Sequence, residues 1–248
     1  MILLSILGAT LAAGVLSVLA AAAVSFTVLE RWAPRLIAFA VGVLLAAAFL
    51  HLLPEAVNEI GPEAVLATCL GAILALFMLE KAALWRHAHV HGHGHGHGGP
   101  PAKPSGMMIL LGDTLHNFVD GVLIAAAFLA DPALGWAVAI GIIAHEVPQE
   151  VGDFMILLDA GYSRRRALIL NALVSFASVA GGVLGFFLLA QLQWAVPYVL
   201  ALAGASFLYI AVADLMPELQ RHWDLKSGLV QLVLIGVGIA VVAGLHSH

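Results

Sequence analysis

Two short stretches hold most of the ligand chemistry in this chain: "GDTLHNFVDG", residues 112–121, and "HEVPQEVGD", residues 145–153. On a helix, His116 and Asp120 are four apart and share a face, with Asn117 one step round. In the second stretch His145 and Gln149 share one face, and Glu146, Glu150 and Asp153 share the neighbouring one. Two carboxylates with two imidazoles make a good ligand set for a divalent metal. Pro148 removes a backbone donor and frees the carbonyl of Ala144 beside them.

The elements that must position these residues are membrane helices. The chain is 62% hydrophobic and only 10% charged, where a soluble domain carries about 25% charge. This predicts a multi-pass integral membrane protein, with the plasma (bacterial inner) membrane as its expected location and the lipid bilayer as its surroundings. Apolar runs of about 20 residues, the length that crosses a bilayer, fall near 2–29, 35–55, 63–85, 106–130, 133–158, 165–191, 194–217 and 227–246. All must be helical, because lipid-facing backbone has to satisfy its own hydrogen bonds. The expected fold is an all-α membrane protein with eight transmembrane helices, residues 1–248 forming a single transmembrane domain. The opening "MILLSILGATLAAGVLSVLA" lacks a basic segment and reads as a first span rather than a cleaved signal peptide. The single cysteine, Cys69, excludes an intrachain disulfide, and a net charge of −5 gives no footprint for nucleic acid.

Lysine and arginine set the orientation. All ten lie in or beside the loops between transmembrane helices 1 and 2, 3 and 4, 5 and 6, and 7 and 8. By the positive-inside rule those loops are cytoplasmic and both termini face out. Helix 4 then runs outward and helix 5 inward. They are joined by a very short turn at Pro132, so their polar faces can meet near the midplane. A charge at a helix centre costs roughly 2.5–3.5 kcal/mol, so Asp120, Glu146 and Glu150 together cost about 8–10 kcal/mol on that scale. Neither stretch contains a Lys or Arg to offset them. A bound cation would.

Three other functions compete with movement of that cation across the membrane. An intramembrane metalloprotease needs H-E-x-x-H, and the second histidine position is Gln149. A cation-diffusion exporter would have six spans and a cytoplasmic C-terminal domain. A membrane metal sensor would use the same ligands without moving the ion. Imidazole and carboxylate suit Zn²⁺, Fe²⁺, Mn²⁺ and Cd²⁺ as the substrate, and the lack of thiolate argues against Cu⁺.

"HNFVDG" followed by "HEVPQEVGDF" closely resembles helices 4 and 5 of the ZIP (Zrt/Irt-like) zinc transporters, above all the subfamily whose fifth helix reads H-E-x-P-H-E-x-G-D. "FLHLLPE" and "FMLEK" are also similar to that subfamily. The resemblance implies import of Zn²⁺ toward the cytoplasm, with no enzymatic activity. It also implies a metal site between helices 4 and 5, binuclear in some members. The matching positions are His116, Asn117, Asp120, His145, Glu146 and Glu150. Gln149 stands where the subfamily has histidine, which implies a weaker second metal position. Asn171 and Ser175 are the candidates for a contribution from helix 6. A homodimer is the expected assembly.

Helix 2 reads "FLHLLPEAV" and helix 7 "VADLMPELQ", so His51 and Glu55 match Asp214 and Glu218. Opposite directions for these two helices predict an inverted repeat of helices 1–3 and 6–8 around the central pair. On this reading His51, Glu55, Asp153, Asp214 and Glu218 belong to the metal's pathway. Glu55 sits near its outer end, Glu218 near its inner end, and His51 reaches toward the transport site. Finally, His87, His89, His91, His93, His95 and His97 alternate mostly with glycine. Such a tract has no hydrophobic face, so residues 86–105 are expected to form a disordered cytoplasmic loop that binds metal loosely.

Overall fold

A computed structural model describes residues 1–24, 33–90, 104–220 and 225–244. Its elements are α1 (Ile2–Val24), α2 (Ala33–Ala46), α3 (Leu53–Ile60), α4 (Pro62–Val90), α5 (Pro104–Ala130), α6 (Pro132–Asp159), α7 (Arg164–Gln191), α8 (Val196–Tyr209), α9 (Met216–Gln220) and α10 (Leu225–Gly244). There is no strand among the described residues. Among the described residues, seven spans are long and apolar enough to cross a membrane. The eighth, α6, matches them in length at 28 residues but carries Glu146, Glu150 and Asp153. Transmembrane helices 4 and 5 of the sequence reading are α5 and α6. The α4 helix runs on to Val90, inside the stretch expected as loop.

The breaks fall where the local chemistry demands them. Gly61 separates α3 from α4 with φ 80°, a left-handed conformation open to glycine. Between α5 and α6 stands a single residue, Asp131. Its carboxylate accepts from the backbone N–H groups of Ala133 at 2.8 Å and Leu134 at 3.1 Å, with Pro132 following at the first helical position.

The two segments read as a repeat share a construction. Each is a helix of 14 residues followed by a π-helical stretch of six, Ala47–Leu52 and Ile210–Leu215. Each π stretch ends in an N–H bonded five residues back, Leu53 to Ala48 and Met216 to Ala211. In both, a proline follows one residue later, Pro54 and Pro217. A shift of 163 residues also superposes Pro34 on Pro197, Ala48 on Ala211, and Glu55 on Glu218. A proline donates no backbone hydrogen bond, and a wider π turn is one way a helix absorbs that loss.

Packing falls into two groups. One comprises α1, α5, α6 and α7; the other comprises α2, α3, α4, α8, α9 and α10. The α5–α7 contact is a backbone contact. A Cβ added at Gly121 would lie 1.9 Å from the Ser178 carbonyl oxygen, and one at Gly181 would lie 1.9 Å from that of Phe118. Small residues let helix backbones approach this closely where lipid supplies no hydrophobic drive. Leu44, Leu52, Leu123, Phe128, Ile142 and Phe207 fill the shared core.

Candidate metal centre

His116 stands 15 residues before Asp131, and His145 stands 14 after it. At about 1.5 Å rise per residue both lie about 21 Å from the turn, so an antiparallel pair brings them level. The structure does so. His116 Nε2 is 3.2 Å from His145 Nε2, 3.6 Å from Asp120 Oδ2 and 3.5 Å from Glu146 Oε1. His145 Nε2 is 3.2 Å from Asp120 Oδ2. One donor atom from each of the four residues lies within 4.8 Å of the others. Zinc with bonds near 2.1 Å to tetrahedral ligands sets them about 3.4 Å apart. The observed separations bracket that value.

The protons argue the same way. His145 Nδ1 lies 3.0 Å from the Gly141 carbonyl oxygen, which can only accept. A neutral ring therefore carries its proton on Nδ1 and turns an Nε2 lone pair into the group. Asp120 Oδ2 and both oxygens of Glu146 are buried with no hydrogen-bond partner. Among the described residues no Lys or Arg pairs with them. The lone pairs of His145 Nε2, Asp120 Oδ2 and Glu146 thus converge on one point, an arrangement a divalent cation satisfies. Asp120, His145 and Glu146 are buried, while the His116 side chain keeps 27% of its surface exposed. Phe207 of α8 closes one side, its ring 6.0 Å from that of His145.

The other expected ligands lie nearby but outside this group. Asn117 and Gln149 both donate to Asp113 Oδ1, at 3.0 and 3.1 Å. Glu150 Oε1 accepts from the Ser175 hydroxyl at 2.8 Å, and Asn171 Nδ2 donates to the Glu150 carbonyl at 3.1 Å. Asn171 and Ser175 therefore hold Glu150 by hydrogen bonds. Asp153 sits half-buried at the next turn of α6. His51 does not join the group: its Nε2 lies 3.2 Å from the Val242 carbonyl oxygen, so the π stretch carrying it turns toward α10. Glu55 and Glu218 are half-buried and Asp214 is exposed, all three away from the four ligands. His87 and His89 fall in the last turns of α4, and His91, His93, His95 and His97 lie outside the described residues. Pro148 sits inside α6, which continues as one helix through it.

Asp113 is a buried carboxylate that the sequence reading passed over, although it lies in the first quoted stretch. It stands three residues before His116 and seven before Asp120, on the same face of α5.

Comparison with known proteins agrees with this architecture. The family described as "ZIP Zinc transporter" matches residues 85–246. Zinc transporter ZIP13 of Pongo abelii is 33% identical over 221 residues, 84% of this chain and 65% of that protein. Zinc transporter foi of Drosophila melanogaster is 40% identical over 152 residues, 59% of this chain and 21% of that protein. Metal cation symporter ZIP14 of Bos taurus is 39% identical over 150 residues, 56% of this chain and 30% of that protein. The chain thus spans less than two thirds of the length of each of these relatives. With seven spans among the described residues apolar enough to cross a membrane, and the family match covering both α5 and α6, the chain belongs to the ZIP zinc transporter family.

Proposed function

We propose that this protein carries divalent metal, Zn²⁺ foremost, across the membrane toward the cytoplasm through the group between α5 and α6. The observation that carries the reading is the convergence of His116, Asp120, His145 and Glu146 at metal-ligand separations inside a membrane pair of helices. The relatives' names, two zinc transporters and a metal cation symporter, agree with that cargo. A transport site must release its ion, and two features suit release. His116 is partly exposed, and Gln149 offers a neutral amide oxygen, a weaker donor than an imidazole. Asn117, Gln149 and Glu150 then serve the ion beside the four principal ligands, and Asp153 lies further along α6 on the inward path. The whole chain acts as one transmembrane unit, with the histidine tract as a loose metal reservoir on the cytoplasmic side.

A metalloprotease is the poorer reading. Position 149 carries an amide bonded to Asp113 in place of a second imidazole. The test is uptake by purified protein in liposomes with a panel of Zn²⁺, Fe²⁺, Mn²⁺ and Cd²⁺. Wild type should take up Zn²⁺, and Asp120→Asn should lower Zn²⁺ affinity by at least about 100-fold, since even outer partners of metal ligands are worth 10- to 100-fold. Undiminished uptake by Asp120→Asn would sink the reading.

A further inference from the structure

Asp113 stands one helical turn before His116 and Asn117 and is 5% exposed. Its Oδ1 accepts from two side-chain amides at once, from Asn117 within α5 at 3.0 Å and from Gln149 across on α6 at 3.1 Å. The Asn117 amide also reaches the Asp113 carbonyl oxygen at 3.2 Å. Asp113 Oδ2 is buried without a hydrogen-bond partner, and among the described residues no Lys or Arg pairs with this carboxylate. An ionised carboxylate only accepts, so both amides must turn their NH₂ groups toward it. Each amide then has its carbonyl oxygen left over. Neither oxygen has a hydrogen-bond partner among the described residues. Asn117 adjoins the ligand His116, and Gln149 lies one turn from the ligand His145.

We propose that Asp113 is a positioning residue for the transported cation. By gripping both amides it fixes the Asn117 and Gln149 carbonyl oxygens as donors to the metal, and it ties α5 to α6 one turn from the four principal ligands. Gln149 on this account is a held oxygen donor, and the bond to Asp113 compensates for the missing imidazole. The inference rests on the transport reading above.

The test uses full-length protein in four variants beside wild type: Asp113→Ala, Asp113→Asn, Gln149→Leu, and Asp113→Ala with Gln149→Leu. Zn²⁺ titration of purified protein and initial-rate uptake into liposomes are the readouts. Asp113→Ala should weaken Zn²⁺ binding and raise KM by about 10-fold, the scale of an outer partner of a metal ligand, with the maximal rate little changed. Asp113→Asn keeps a carbonyl acceptor for both amides and should restore most of the affinity. The double variant should be no worse than the worse single one, because residues acting as a unit are not additive. Multiplying effects in the double variant, no rescue by asparagine, or a lower rate at unchanged affinity each overturn the inference. Where Asp113→Ala does not fold, Gln149→Leu carries the test: it must weaken Zn²⁺ binding by a similar factor, and unchanged affinity overturns the inference. Wild type that neither binds nor moves Zn²⁺ overturns the transport reading itself. Wild-type uptake with an unaffected Asp113→Ala variant overturns only the role of Asp113.

Discussion

Under the proposed transport reading, glutamine at position 149 sets how strongly the site would grip its metal. An amide oxygen is a weaker zinc ligand than an imidazole. A histidine there could donate one ring N–H to Asp113 and give the other nitrogen to the ion, the carboxylate–histidine–metal arrangement common in zinc proteins. Gln149→His should therefore tighten Zn²⁺ binding by about 10-fold, measured by competition against a zinc indicator, and should slow release. Equal or weaker binding would show that Gln149 lies outside the ion's reach. The grouping of His116, Asp120, His145 and Glu146 was legible in the sequence because helical spacing paired His116 with Asp120, and because uncompensated carboxylates in a membrane demand a partner. Asp113 carries the same spacing signal, three and seven residues from those ligands, yet its partnership with Gln149 is a contact between helices. His51 shows the converse. Its match with Asp214 was visible, but its bond to Val242 depends on where α10 packs.

Helix contacts set what each span tolerates. Gly121 and Gly181 sit where α5 and α7 meet backbone to backbone, and a methyl at Gly121 would overlap the Ser178 carbonyl oxygen at 1.9 Å. Gly121→Ala should destabilise the protein by about 1–3 kcal/mol, the usual cost of overpacking, with the thermal midpoint in detergent as the measure. Gly112 on the same helix has open space around its missing Cβ. Gly112→Ala should hold or raise stability by up to about 1 kcal/mol from helix propensity alone. Equal effects at the two sites would refute the close approach. The breaks between spans were legible because Gly61, Asp131 and Pro132 each have a local reason to stop or start a helix. The π stretches were not. Sequence marks the proline, while the pattern of hydrogen bonds around it is set by the whole packed helix.

Across the whole molecule, the pair α5 and α6 packs with α1 and α7 on one side and against α2 and α8 of the other group, and the outward faces are apolar. Leu66, Leu70, Leu74 and Met78 project from α4, and Leu229, Leu232 and Val233 from α10, as lipid-facing helices require. The span count came from run length. The eighth span, α6, carries Glu146, Glu150 and Asp153, and with Asp120 of α5 these are the charges a bound cation would offset. The paired π stretches place Glu55 and Glu218 at equivalent positions of two segments an odd number of crossings apart, hence toward opposite membrane faces. Glu55→Ala should impair capture and raise KM for uptake, whereas Glu218→Ala should slow release and lower the maximal rate. Proteoliposome kinetics with metal on one side separate the two, and unchanged kinetics in both variants would remove these residues from the path.

The bond from His145 Nδ1 to the Gly141 carbonyl oxygen joins two residues four apart on one helix. Nothing outside α6 is needed to maintain it. Under the proposed transport, any shift of α6 against its neighbours would leave the same ring nitrogen bare. The ordering cost of this ring is met when the chain folds, so the proposed transport would begin with a donor already prepared.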